Sequence, residues 1–491
     1  MVSRWWCLCL LLLPQDEDAK KAERLVKQAE ALAEAKSFEE ARAIYQAVAA
    51  KWPSTEAGKV AAYRGGDNCI VAIAQIVNNG PSENRIDVHI MGDSFRYTNA
   101  DQRSFFGQAQ GFAIQLTSGG SLREYQKYFN YWRVNLASKE QGTSTDSKKI
   151  DTALGVKTGD GGGGYSVDGK KVAEISRRLP HNEGLYLVLV RMGGGVDSGG
   201  GGIVTWTGGG TLVHEFGHAF GGLGDEYTSE PGGMPNGFQR PIGRGVNYSD
   251  SPDPDKLPWK HWLEKPEVAR AAGVGASEGA NAHEKGQWKP TTGGCTMGSG
   301  GGGDFCPVCR ERMVIEIYRR VCPVDDASPA SAVVKVKKNG EKYRIETPDA
   351  VPWVLPMQPT THRLAVRWKM KRAEEASGET ASGQDARPQS PEEPKEAPKK
   401  RERNFGKIPF EGEDLKGGVR PDRAGRPLER PVFAEGKLTP GRYLLTVEVR
   451  DEMWEEKTDN QTKQKVKVPW VLRDPEGLMV ERVAWEVVVR E

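Results

Sequence analysis

Residues 214–227 read His-Glu-Phe-Gly-His-Ala-Phe-Gly-Gly-Leu-Gly-Asp-Glu-Tyr. An α-helix advances about 100° per residue, so His214 and His218, four apart, share one face and can hold one metal ion. Glu215 stands beside them, where a carboxylate can take a proton from water activated by the metal and pass it to a leaving amine. Gly221 and Gly222 let the helix stop and the chain reverse, because glycine tolerates positive φ. The reversal carries Asp225 and Glu226 back towards the histidines. A bare His-Glu-x-x-His can also be the charged face of a surface helix. Here apolar Leu212 and Val213 precede the motif, and a glycine turn and an acidic pair follow it, which favours the metal reading.

Working outward, Ile86-Asp87-Val88-His89-Ile90-Met91-Gly92-Asp93 and Tyr128-Phe129-Asn130-Tyr131-Trp132-Arg133-Val134-Asn135 lie upstream, followed by Ser138 to Gly142 and Asp151-Thr152-Ala153-Leu154-Gly155. Downstream come Trp259-Lys260-His261-Trp262, Glu278-Gly279-Ala280, Cys295-Thr296-Met297 and Phe305-Cys306-Pro307-Val308-Cys309. In this order the blocks resemble the IgA peptidase-like zinc metallopeptidases, a branch of the metzincin-like zincins. The resemblance implies a zincin-like α/β catalytic domain, a bound Zn²⁺ and hydrolysis of peptide bonds. It also implies that Met297 is the methionine of the turn beneath the metal, although a thioether fills an ordinary core equally well.

In metzincins with the long zinc signature the third ligand is a histidine ten residues after the first, and here that position is Gly224, which has no side chain to offer. The resemblance favours an acidic substitute, Asp225, with Glu226 the alternative. Asp225 could instead orient a histidine from behind. Tyr227 is a candidate hydrogen-bond donor to a developing oxyanion. His89, His181, His261, His283 and His362 are expected in packing or turn roles, since none is needed as a ligand.

The 69 basic and 67 acidic side chains nearly cancel, to +2, which gives no footprint for a polyanion such as nucleic acid. The 59 glycines concentrate at 159–164, 193–202, 208–210 and 298–303; none has phosphate-loop spacing, so they read as flexible loops around the site. Arg4 followed by the nine apolar residues Trp5 to Leu13 reads as a signal peptide over 1–14, too short for a membrane span of about 20 residues. A secreted or periplasmic location follows, with no integral membrane segment in the mature chain.

The expected fold is multidomain. Residues 15–64 carry a helical period, with Ala22, Leu25, Val26, Ala29, Leu32 and Ala33 on one stripe and Phe38, Ala41, Ile44, Tyr45 and Val48 on the next. Ser37 with Glu40 reads as a capping box that starts the second helix, Trp52-Pro53 closes that helix, and the result resembles a tetratricopeptide (TPR-like) helical hairpin. One such unit cannot bury its own face, so it must pack on the catalytic domain, on a copy of itself or on a protein partner. Residues 81–322 form the α/β catalytic domain, with strands near 86–91, 131–137 and 185–191 and helices near 170–178 and 211–220. Residues 323–491 alternate as an all-β, immunoglobulin-like sandwich, interrupted at 372–404 by a Glu-, Lys-, Pro- and Ser-rich segment expected to be disordered.

Seven cysteines include two in the signal; Cys295, Cys306, Cys309 and Cys322 cluster, with Cys69 far upstream. In an exported chain disulfides are expected rather than the second, structural zinc that Cys306-x-x-Cys309 could also suggest. The sequence thus predicts a zinc endopeptidase of extracellular proteins. Its rivals are an inactive binding or adhesion protein on the same fold, and a zinc amidase of cell-wall peptides.

Overall fold

No Gly or Pro interrupts residues 15–51, and apolar side chains recur there every three to four positions, so two helices form: α1 (Leu13–Glu34) and α2 (Phe38–Lys51). Ala22, Val26, Ala29 and Ala33 of the first are buried, as are Phe38, Ala41, Tyr45 and Val48 of the second. The computed structural model describes residues 13–118, 120–160, 162–191, 195–228, 240–299, 303–328, 332–339, 342–346, 350–373, 408–421, 425–433 and 438–491. The expected signal peptide lies outside them except for residues 13 and 14. The expected disordered segment lies outside them except for 372 and 373.

One expectation for the helices is corrected. Ser37 holds the cap position of α2 but, at φ −96° and ψ 66°, makes no side-chain cap bond. Asn99 Oδ1 accepts instead from Phe38 N at 2.7 Å and Glu39 N at 3.1 Å, a cap supplied from 61 residues away from Phe38. Trp52-Pro53 closes α2 as expected, the helix ending at Lys51 with Trp52 as its C-cap. Thr55 starts a third helix, α3 (Glu56–Arg64), its hydroxyl accepting from Gly58 N at 2.9 Å. The helices share their core with Cys69, Val71, Ala72, Tyr97 and Ala137. Of the three expected ways to bury the apolar stripe, packing on the domain that follows is the one observed.

Those residues open the catalytic sheet, whose strands are β1 (Cys69–Val77), β2 (Ile86–Asp93), β3 (Phe129–Ala137), β4 (Tyr186–Val190), β5 (Ser198–Gly200) and β6 (Ile203–Trp206), in the order β1-β3-β2-β4-β6-β5. The four inner strands run parallel and the two edges antiparallel. β1 belongs to this sheet although it precedes residue 81, the expected start of the domain. β2 is buried along its whole length, as a central parallel strand covered on both faces must be. Phe105, Ala109, Phe112 and Leu116 of α4 (Asn99–Ser118) cover one face. Val172 and Ile175 of α5 (Gly169–Ser176) cover the other. Asp93, at the end of β2, accepts from Leu154 N at 2.8 Å and so binds the 151–155 block to the sheet. After β6 the chain enters α6 (Leu212–Phe216), which continues as a π turn over Gly217–Gly221. A long buried helix, α7 (Pro307–Arg320), ends the domain.

The C-terminal part is all-β: β7 (Val324–Ser328), β8 (Ala332–Asn339), β9 (Lys342–Ile345), β10 (Trp353–Pro356), β11 (Ala365–Arg372), β12 (Glu413–Pro421), β13 (Pro427–Val432), β14 (Gly441–Arg450) and β15 (Val480–Arg490). They pair without a break as β7-β10-β13-β12-β11-β14-β15-β8-β9. This departs from the two separate antiparallel sheets of the expected immunoglobulin-like sandwich. β12 joins what would be two sheets, pairing with β11 through Glu413–Leu415 and with β13 through Lys416–Pro421, and β8 runs parallel to β15.

Asp451 locks this part to the catalytic domain. It is buried; its Oδ2 accepts from Tyr125 and Tyr318 hydroxyls at 2.8 and 2.7 Å, and its Oδ1 lies 3.0 Å from His362 Nε2. Burial alone would raise its carboxyl, but His362 and the tyrosines outweigh that and hold it below the usual range. A group lowered on folding contributes stability above its unfolded value, near 3.9, and loses it as pH falls through the lower folded value. Asp451→Ala should therefore cost about 3 kcal/mol near neutral pH, because buried partners are left unpaired. The deficit should shrink towards pH 2 in urea melts. A deficit below about 0.5 kcal/mol would remove Asp451 as the lock.

Candidate active site

Three atoms converge where α6 ends. His214 Nε2 and His218 Nε2 are 3.1 Å apart, and Asp225 Oδ1 is 3.0 Å from the first and 3.1 Å from the second. Ligand atoms about 2.0–2.1 Å from a shared tetrahedral ion stand roughly 3.3 Å apart. The ring protons are committed elsewhere. His214 Nδ1 donates to Thr296 O at 2.9 Å and His218 Nδ1 to Leu223 O at 2.6 Å, since a carbonyl can only accept. In the neutral rings both Nε2 atoms then carry lone pairs, and they face a buried carboxylate oxygen that has no hydrogen-bond donor of its own. Short His–Asp contacts and an unsatisfied Oδ1 are compatible only if the rings are protonated or a cation sits between the three. With both Nδ1 protons fixed by carbonyls, the donor set fits a metal ion.

Local sequence explains the geometry. Gly222, at φ 63°, takes the left-handed conformation that ends the helix, and its N–H closes on Gly217 O and His218 O. Asn247 clamps the turn that follows, its Oδ1 accepting from Gly224 N at 2.7 Å and its Nδ2 donating to Gly224 O at 2.8 Å. Arg240 Nη1 donates to Asp225 Oδ2, leaving Oδ1 for the histidines. Burial would raise the Asp225 carboxyl, but the two histidines and Arg240 hold it well below the carboxylate range. Met297 is fully buried, its Sδ so near Gly217 that a Cβ there would come within 2.7 Å of it. Glu215 is buried, its Oε1 4.0 Å from His214 Nε2, and burial raises its carboxyl against the pull of the histidines.

Residues 74–270 match the family described as IgA Peptidase M64. Over this stretch the chain is similar to that metallopeptidase family. No curated protein matches the chain. The match covers the M64 segment from β1 through α6 to the 259–262 aromatic block, while the turn at 295–297 and α7 follow it in sequence.

Within the M64 segment the two acidic residues part company. Asp225 reaches the histidines. Glu226, the alternative ligand, turns the opposite way, as adjacent side chains of an extended segment do. Its Oε1 lies 3.0 Å from Cys309 Sγ and 2.9 Å from Asn247 Nδ2, and burial pushes its carboxyl up to about 8. Tyr227 stacks its ring on His214, with centroids 6.2 Å apart, and its hydroxyl is 3.4 Å from Arg240 Nη2. The other histidines keep structural roles: His89 with Pro180 O, His261 with Glu311, His283 with Arg240 O and His362 with Asp451.

The expected disulfides are not formed. Cys69, Cys295, Cys306, Cys309 and Cys322, the cysteines among the described residues, are all buried and none is joined in a disulfide. The physical reason is placement: Cys69 packs in the helical core, while Cys295, Cys306 and Cys309 converge on Glu226.

Sequence reasoning missed Arg240 and Asn247, for which spacing offers no signal, and misread two glycine tracts, since 162–164 also lie in a strand, paired with 157–159. Residues 198–200 are not a loop but the edge strand β5, packed so closely on α6 that a Cβ on Gly199 would fall 1.9 Å from Glu215 O.

Asp225→Ala should abolish metal binding at the histidines, and Arg240→Met should weaken it about 10- to 100-fold, as loss of a residue behind a ligand does. Calorimetric titration of metal-depleted protein checks both. Wild-type affinity in Asp225→Ala would place the third ligand elsewhere.

Proposed function

We propose that this chain is a zinc-dependent endopeptidase acting on extracellular proteins. The observation that carries the reading is the triangle of His214, His218 and Asp225 with Glu215 alongside, in a segment of metallopeptidase family. Zinc suits two imidazoles and a carboxylate with one position left open, and when bound it supplies Lewis acidity that polarises a carbonyl and makes water acidic near neutral pH.

The chain's own residues do the rest. Glu215, raised towards neutrality by burial, accepts a proton from water at its carboxylate and delivers it to the nitrogen of the leaving amine. Asp225 stays ionised, which keeps the two imidazoles oriented. The Tyr227 hydroxyl, beside the Arg240 guanidinium, is the candidate donor to the oxyanion. β5 is the sheet edge next to α6, and an extended substrate main chain pairing with it would cross the site in a defined direction. Export is supported by the apolar run from Trp5 to Leu13.

Glu215→Gln should keep full metal content and wild-type stability while kcat falls by about 10²–10⁴ on a protein substrate. Activity near wild type in a fully metallated Glu215→Gln enzyme would sink the mechanism. Mass-spectrometric mapping of cleavage in a mixed proteome, run beside a cell-wall peptide, separates an endopeptidase from an amidase.

A further inference from the structure

On the far side of the Asp225–Glu226 turn lies a second convergence of ligand-type atoms. Glu226, Cys295, Cys306 and Cys309 each place one carboxylate oxygen or sulfur within 4.8 Å of all the others. All four residues are buried, at 1%, 1%, 5% and 0% exposure, so this is a dry pocket and not a surface cluster. Cys306 holds the N-cap position of α7 and Cys309 sits one turn on, which brings both sulfurs to the positive end of a 14-residue helix. Cys295 comes from the turn that carries Met297, and Glu226 from the turn that carries Asp225.

We propose that Glu226, Cys295, Cys306 and Cys309 form a second, closed metal site for a thiophilic divalent cation, zinc being the best fit. Three thiolates select a borderline-soft ion over magnesium or calcium, and four protein ligands without an open position are the pattern of a structural site. The surroundings donate to the ligands, as they should around bound anions: Cys306 N to Cys295 Sγ at 3.3 Å, and Asn247 Nδ2 to Glu226 Oε1 at 2.9 Å. The Lys289 ammonium, 2.6 Å from Glu226 O, adds positive charge nearby. The ion would pin both loops of the active site. Thr296, next to Cys295, receives the His214 proton, and Glu226 is the residue after Asp225.

Full-length protein purified under reducing conditions tests this by metal analysis and by cobalt(II) reconstitution. Wild type should hold two ions per chain and show thiolate-to-cobalt charge-transfer absorption. His214→Ala/His218→Ala should retain one ion and the full absorption band, a result independent of any peptidase activity. Cys306→Ser/Cys309→Ser should lose the band and bind cobalt at the histidines at least 10-fold more weakly. The proposal is overturned by a wild type that binds cobalt without a thiolate band, by a histidine variant with no ion, or by a disulfide among the three cysteines in non-reducing peptide maps. Should the cysteine variant fail to fold, the wild-type spectrum and the histidine variant decide between these outcomes.

Discussion

The hydrogen bonds that hold residues 223–226 in one path are the constraint on which the site depends. Leu223 O receives the His218 proton, Gly224 is clamped at both backbone groups by Asn247, and Glu226 N donates to Met297 O at 2.7 Å. Only with that path fixed does Asp225, a short side chain, reach the two imidazoles. Glycine at 222 is what makes the path accessible, since an L side chain at φ 63° is strained.

Preorganisation here is electrostatic as much as steric. Two lone pairs and a carboxylate oxygen brought within about 3 Å in a buried pocket repel one another unless a cation is shared. The fold bears that cost through neighbours: two carbonyls fix the ring protons, Arg240 compensates the outer oxygen of Asp225, and the helix core beneath prevents collapse. Glu215 experiences the opposite balance. Burial destabilises its charged form, and among the described residues no guanidinium pairs with it as Arg240 does with Asp225, so neighbouring carboxylates diverge in basicity. One is suited to hold an ion and the other to carry a proton.

How much of this was legible follows from range. The His-Glu-x-x-His spacing and the glycine stop are local, and the structure brings His214, His218 and Asp225 together, whereas Glu226 turns away to the cysteines. The periodic apolar stripes of α1 and α2 and the buried run of β2 were equally readable. What failed was decided by contacts distant in sequence. Ser37 lost its capping role to Asn99, and the expected pair of helices gained a third, α3. The glycines at 198–200 read as flexibility because composition cannot distinguish a loop from a strand pressed against a helix. Compartment chemistry pointed the cysteines towards disulfides, whereas the fold aims three of them at one carboxylate.

Helix α7 connects these pieces mechanically. Its N-terminus presents Cys306 and Cys309 to the Glu226 turn, and its middle supports the metal helix, Arg312 Nε donating to Gly221 O at 2.9 Å while Met313 Sδ leaves no room for a Cβ on Gly221. Its outer side is gripped by the all-β part. Glu311 accepts from Leu472 N and Arg473 N at 2.7 and 3.0 Å, Arg310 pairs with Glu455 at 2.7 Å, and Tyr318 donates to Asp451. A rigid helix loaded at one end by ligands and along its flank by another domain transmits position without needing to move. The C-terminal strands thereby acquire a physical link to the His214–His218–Asp225 site, although among the described residues none of their side chains converges on the histidines.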